Sequence, residues 1–246
     1  MRIACIVQAR VGSSRLPGKI LKPLGSACVL QHVLRRCRRI PSVDTVICAT
    51  THHPQDNEIC RIAKFEGVTV FRGSESDVLE RYHNAAQLAG ADTILRVTSD
   101  CPLIDPLICD RVIELLKAKR ADFTCNNMPP SWPHGLDCEA FTISALSAAH
   151  QNAVKEYDRE HVTPWIRRNE GLRRLNLPRE GSARHELRWT LDYPEDFDFF
   201  KAVFERYSDT NIILDTERLI CALDNEPELA VINQRYATKP NAQGEI

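Results

Sequence analysis

The sequence predicts an α/β fold in which a mostly parallel sheet is covered by helices. Short apolar runs alternate with stretches of helical periodicity, the pattern of strand–helix–strand units. A loop dense in glycine, serine and cations follows the first apolar run. Aspartates stand at the ends of two later runs, where open α/β sheets gather their ligands.

Ile3 to Gln8 is an apolar run that turns polar at its end, as a buried strand does where it leaves a sheet. A Gly/Ser/Pro loop extends to about Pro23. Val29 to Arg39 then places Val29, Leu30, Val33, Leu34 and Cys37 on one side of a helix, with arginines filling the rest. Thr45 to Ala49 reads as the second strand. Asn57 to Glu66 is a helix stopped by Gly67, and Val68 to Phe71 is the third strand. Asp77 to Leu88 is helical up to Gly90, and Thr93 to Thr98 is a strand. Pro106 to Lys119 is a helix whose leading proline lacks only an N–H that would be unbonded anyway. Asn126 to Asp137, with three prolines and a glycine, reads as a turn-rich excursion over a site or a partner. Cys138 to Thr142 follows as a strand, Ser144 to Gln151 as a helix, and Asp158 to Asn169 as a helix around Pro164. Arg188 to Leu191 reads as a strand, and Pro194 to Tyr207 and Asp215 to Leu223 as helices. No internal repeat or linker divides the chain. Residues 1–237 are therefore expected to form one domain with a projecting middle segment, and 238–246 a polar tail.

At 246 residues, with 43% hydrophobic and 26% charged residues and a mean hydropathy of −0.31, the chain is neither disordered nor membranous. No apolar run approaches the roughly 18–20 residues of a membrane span. The 32 Lys+Arg against 33 Asp+Glu leave a net charge of −1, which excludes a general nucleic-acid coat. Any polyanion must be met by a local cluster of cations. The ten cysteines include no CxxC or CxxxC pair, so neither a zinc site nor a disulfide framework is expected. Most lie in apolar runs such as Ile220-Cys221-Ala222 and read as reduced core thiols of a cytoplasmic protein.

The loop Gln8-Ala9-Arg10-Val11-Gly12-Ser13-Ser14-Arg15-Leu16-Pro17-Gly18-Lys19 carries two Arg, one Lys, two Gly and two Ser within twelve residues. That composition suits a triphosphate. Glycines let the backbone approach, N–H groups point at the anion, and Arg10, Arg15 and Lys19 neutralise charge. It has neither the GxxxxGK[ST] spacing of a P-loop nor a GxGxxG fingerprint.

This opening resembles that of the sugar-acid cytidylyltransferases, the 3-deoxy-manno-octulosonate and acylneuraminate enzymes among them, and is most similar to the spore-coat polysaccharide SpsF-type branch. Further landmarks follow in order: Thr98-Ser99-Asp100-Cys101-Pro102, Gly135-Leu136-Asp137-Cys138-Glu139, Arg159-Glu160-His161-Val162-Thr163-Pro164 and Leu187-Arg188-Trp189-Thr190-Leu191-Asp192-Tyr193-Pro194-Glu195-Asp196. The resemblance implies a three-layer, Rossmann-like nucleotide-diphospho-sugar transferase fold. It implies a magnesium-dependent transfer of CMP from CTP to a 3-deoxy-2-ulosonic acid for surface glycan synthesis, with pyrophosphate leaving. Gln8, Ala9, Arg10, Gly12, Ser13, Ser14, Arg15, Lys19, Arg81 and Ser99 would bind the nucleotide, with Lys19, Arg10 and Arg15 stabilising the departing pyrophosphate. Arg81 matches loosely, because Ser-Asp-Val-Leu-Glu-Arg stands where the family has SGTxR. A homodimer built on a projecting arm is also implied.

Asp100 and Asp192 each end a predicted strand, so they can converge on one Mg²⁺ with triphosphate oxygens, and the matching family aspartates hold the metal. Asp105 and Asp196 read instead as acids at helix starts. His134, Asp137, Glu139, His161 and Arg188 are the candidates for the acceptor. Asp137 and Glu139 alternate along one strand and share a face, which suits paired sugar hydroxyls. Three other activities fit a nucleotide loop of this kind: a nucleotidyltransferase using another NTP and a sugar phosphate, a glycosyltransferase of related fold, and a non-catalytic nucleotide-binding protein.

Overall fold

The computed structural model describes residues 1–207 and 215–237. Its elements run β1 (Ile3–Gln8), β2 (Pro23–Leu24), β3 (Ala27–Cys28), α1 (Val29–Cys37), β4 (Thr45–Thr51), α2 (Asn57–Phe65), β5 (Thr69–Gly73), α3 (Val78–Ala89), β6 (Thr93–Thr98) and α4 (Pro106–Lys119). They continue with β7 (Phe123–Cys125), β8 (Glu139–Thr142), α5 (Ile143–Asn152), α6 (Glu156–His161), α7 (Pro164–Arg168), β9 (Arg174–Asn176), α8 (Pro194–Tyr207), α9 (Thr216–Asn225) and α10 (Pro227–Val231). The expected tail, residues 238–246, lies outside the described residues.

A seven-stranded sheet in the order β5-β4-β1-β6-β8-β7-β9 forms the middle layer, parallel except that β8 runs against β6 and β7. Both of its faces are covered. Ile3, Cys5 and Val7 of β1 point into a core shared with α1, α2 and α4, while Ala4 and Ile6 point into a second core shared with α3, α5 and α7. A strand buried on both sides must be apolar throughout, which is why β1 reads as a continuous run. A third cluster joins Trp132, Leu136, Trp189 and Leu191 to Phe199, Phe200 and Val203 of α8 and to Leu219 and Ile220 of α9. Among the described residues no helix is long and apolar enough to cross a membrane.

Several expectations are corrected. Arg188–Leu191 alternates like a strand but lies outside the sheet, joined to His134 by a single bridge and to Asp100 O by Leu191 N at 2.9 Å. Its inward residues Trp189 and Leu191 are held by the third cluster instead of by strand pairing. The expected helix over Asp158–Asn169 is two, because Pro164 and the residue before it resist a continuous helix. Between them Val162, fully buried, has φ +73°, and Thr163 N–H donates to His161 O at 2.9 Å, which closes a three-residue γ-turn. Cys221 is exposed, since α9 turns Ile220 inward; seven of the ten cysteines are buried, and all ten are free. The segment 126–137 has an exposed tip at Pro129-Pro130 and is anchored by buried Trp132 and Leu136.

Gly135 has φ +112°, and a Cβ on it would stand 2.2 Å from Trp189 O. The close approach lets the chain leading to Asp192 lie directly on residues 134–136. Gly135→Ala is expected to lose about 2 kcal/mol or more, from the strained φ and the backbone collision together. Urea unfolding measures it; an unchanged midpoint would show that the two segments part freely.

Candidate active site

β1 and β6 are parallel neighbours with Gln8 paired to Thr98, so the cation loop and Ser99-Asp100 leave the sheet side by side. This is a topological switch point: α1 carries the chain from β1 to β4 on one side, and β6 returns on the other. A cleft of about 310 Å³ opens there. Gln8, Ala9, Arg10, Gly12, Ser13, Ser14, Arg15, Lys19, Arg81, Ser99, Asp100, His161 and Asp192 all line it, and Glu160 does so as well.

Local contacts shape the loop. Leu16 is buried in the third cluster and pins the middle of it. Gly18, at φ +66°, turns the backbone so that Lys19 enters the cleft. Asp56, 2% exposed, accepts Val11 N–H at 2.8 Å and also holds Thr51, which ties the loop to the end of β4. Sequence reading missed Asp56, because Pro54-Gln55-Asp56 before a helix looks like ordinary capping.

At the centre of the cleft Lys19 Nζ lies 2.6 Å from Asp100 Oδ2 and 2.9 Å from Asp192 Oδ1. Burial alone would lower the Lys19 pKa, but the two carboxylates outweigh it and hold the ammonium above its ordinary value. Burial likewise pushes Asp100 up, and Lys19 more than reverses this, so its carboxyl sits below the ordinary range. Arg15 Nη2 donates to Asp192 Oδ1 at 2.9 Å, and its guanidinium lies 5.1 Å from the Tyr193 ring centre.

Arg81 is 2% exposed, with Nη1 donating to Ser74 O at 2.6 Å and a buried Nε that has no partner. Burial first, and the neighbouring Arg10 charge in addition, lower its pKa. Arg10 is exposed and carries no ion pair among the described residues. Two arginines, one exposed and one buried, therefore line one cleft, as an anion site requires.

The expected acceptor residues separate. His161 lines the cleft, its ring tilted on Tyr157 at 4.4 Å. Glu139 does not line it: it is 2% exposed and bound to Arg96 at 2.7 Å, Arg167 at 2.7 Å and Thr163 at 2.8 Å. The alternation that placed Glu139 beside Asp137 turned it into the covered sheet, not toward solvent. Arg188, 6% exposed, is engaged by Asp196 at 2.8 Å and Asp192 at 3.2 Å. Asp137 accepts Gly135 N–H at 2.9 Å within its own turn, and His134 lies 3.9 Å from it; neither lines the cleft.

The donor set fits a hard divalent cation. Two carboxylate oxygens from different segments already converge on one positive atom, and Mg²⁺ is usually held by one or two carboxylates plus phosphate oxygens and water. Among the described residues no cluster of three or more His, Cys, Asp and Glu could hold a metal, so the remaining ligands would have to come from substrate and solvent.

A family model described as cytidylyltransferase matches residues 4–228. The chain is 31% identical over 236 residues to the spore coat polysaccharide biosynthesis protein SpsF of Bacillus subtilis, covering 93% of this chain and 96% of that one. It is 30% identical over 129 residues to an 8-amino-3,8-dideoxy-manno-octulosonate cytidylyltransferase of Shewanella amazonensis, about half of each chain. A solved structure of a cytidylyltransferase from Leptospira borgpetersenii superposes with a TM-score of 0.88 at 33% identity, covering 94% of this chain and 97% of that one.

Proposed function

The chain belongs to the cytidylyltransferase family, and from that premise we propose that it transfers CMP from CTP to a hydroxyl of a 3-deoxy-2-ulosonic acid, with Mg²⁺ and release of pyrophosphate. The observation that carries this reading is the convergence of Lys19, Asp100 and Asp192 at the mouth of the cation loop. The substrate class is supported by the name of the Shewanella relative.

In the reaction the acceptor oxygen forms a bond to the α-phosphorus, the bond from that phosphorus to the bridging oxygen breaks, and the acceptor proton leaves to solvent. Arg10, Arg15 and Lys19 bind the triphosphate and meet the charge that builds on the leaving pyrophosphate. Asp100 and Asp192 would hold Mg²⁺, which supplies Lewis-acid polarisation of the phosphoryl oxygens and charge neutralisation. When phosphate enters, Lys19 exchanges one set of anionic oxygens for another, so the charge of the cleft is compensated both before and after binding. Arg81, which lines the cleft, fixes part of the nucleotide through its guanidinium. Calorimetric titration with CTP, UTP, ATP and GTP, each with Mg²⁺, should find CTP the tightest, and equal affinities would overturn the base assignment. Pyrophosphate release on adding 3-deoxy-manno-octulosonate or its 8-amino analogue then tests the acceptor class.

A further inference from the structure

We propose that Asp196 is the positioning residue that sets the Asp192 carboxylate, and that the C-terminal residues Asn233 and Tyr236 lock it from behind; the inference rests on Asp192 being the metal-side ligand proposed above. Asp196 is wholly buried. Its Oδ2 accepts the backbone N–H groups of both Asp192 and Tyr193 at 2.9 Å and Arg188 Nη2 at 2.9 Å. Its Oδ1 accepts Arg188 Nε at 2.8 Å and Asn233 Nδ2 at 2.9 Å. Five donors saturate one carboxylate.

A side chain in the first turn of a helix that reaches back to the preceding N–H is half of a capping box. Capping alone would need neither the N–H of Asp192, one residue further out, nor the guanidinium that continues to the ligand. Arg188 Nη2 also donates to Asp192 Oδ2 at 3.2 Å, which occupies that oxygen and leaves Oδ1 facing Lys19 and Arg15. The backbone and the rotamer of Asp192 are thus both referred to Asp196.

The C-terminal segment closes the arrangement. Asn233, 1% exposed, donates to Arg188 O at 2.9 Å as well as to Asp196. The Tyr236 ring stacks on Tyr193 at 3.8 Å and 4° between planes, and Tyr236 O accepts Arg188 Nη1 at 3.3 Å. Asp196, Asn233 and Tyr236 all lie outside the cleft lining. Their connection to the chemistry runs through Asp192, in the way that outer partners of a metal ligand orient it.

The test titrates the full chain with Mn²⁺ alone, followed by electron paramagnetic resonance, and with tripolyphosphate in EDTA, followed by calorimetry. Asp196→Asn should weaken Mn²⁺ binding by about 10–100-fold, and Asn233→Ala, which leaves the ion pair intact, by about threefold or more. Tripolyphosphate affinity should change less than about twofold, since the cation loop is untouched. Asp192→Asn is the control. If it loses Mn²⁺ while Asp196→Asn and Asn233→Ala keep it, the positioning role is overturned and Asp192 remains a ligand. Should Asp192→Asn itself bind Mn²⁺ normally, the metal reading fails. Equal loss of Mn²⁺ and tripolyphosphate in Asn233→Ala would mark a general structural role and overturn the proposal. Should Asp196→Asn not fold, Asn233→Ala decides alone.

Discussion

Lys19→Ala is expected to lower turnover by on the order of 10²–10³, as removal of one preorganised charge contact does, and at the same time to tighten the binding of Mn²⁺ without nucleotide. The two effects have one cause. Lys19 Nζ lies 2.6 Å from Asp100 and 2.9 Å from Asp192, so any divalent cation must first displace an ammonium that both carboxylates favour. Without it, two like charges face each other with only the exposed Arg15 and the structural Arg188 on the Asp192 side. The linkage has a definite sign. Asp100 is depressed below its ordinary 3.8, so its contribution to stability is present above that value and is lost as pH falls through the lower folded one. Lys19 is raised above 10.5, so its contribution is present below that value and is lost as pH rises through the higher folded one. The stability difference between wild type and Lys19→Ala should therefore be flat across the neutral range and shrink at both extremes. Pyrophosphate release, Mn²⁺ titration and urea unfolding against pH measure the three parts. Near-wild-type turnover would remove Lys19 from the clamp, and unchanged Mn²⁺ affinity would show that the ammonium and the cation do not compete.

What sequence could and could not reveal follows from the range of the contacts. β1, β4 and β6 are largely apolar because both sheet faces are covered there, the half-buried edge strand β5 still turns Val70 and Phe71 to the two cores, and α1 to α4 carry periodic apolar stripes, so the parallel half was legible from neighbouring residues alone. The cation loop was legible because its chemistry is contiguous. β7 and β9 escaped notice; each is three residues long, and Arg174-Leu175-Asn176 at the sheet edge has no period to detect. Segment 188–191 misled because alternation reports burial of every second residue, whatever covers it. Asp100 and Asp192 could be named as strand-end or loop-end acids, but their meeting at Lys19 joins residues 81 and 173 positions apart, which no local pattern encodes. Asp196 looked like a helix-start acid, and it is one; its pairing with Arg188 spans eight residues without a periodic pattern, and its contact with Asn233 depends on a C-terminal segment that folds back.

Glu139→Ala should destabilise the protein by about 3–5 kcal/mol, the usual cost of leaving a buried charge without its partner. Glu139 sits between Arg96 and Arg167, both with side chains largely buried, and accepts the Thr163 hydroxyl at 2.8 Å. Burial raises its pKa, but Arg167, Arg96 and Thr163 together bring it below the ordinary 4.5. Its contribution is therefore full above that value and lost as pH falls through the lower folded one, so the wild type and Glu139→Ala should converge in stability in acid. Glu139→Leu combined with Arg96→Met should recover part of the loss, because well-packed apolar groups replace buried ion pairs at little cost. The consequence reaches the cleft indirectly. Thr163 and Arg167 begin and hold α7 just after the Val162 γ-turn, and a β-branched residue at φ +73° costs on the order of 1–3 kcal/mol unless its surroundings fix it. Arg159 on Asp77 and Arg168 on Asp158 fix the same turn from the other side. Glu139 thus supports the placement of His161 from outside the cleft lining, and Glu139→Gln should lose stability while CTP affinity stays within about threefold at a temperature where it is folded. Urea unfolding with calorimetry of CTP binding separates the two roles: lost affinity at full stability would return Glu139 to the substrate side, and a destabilisation below about 1 kcal/mol would dismiss the hub.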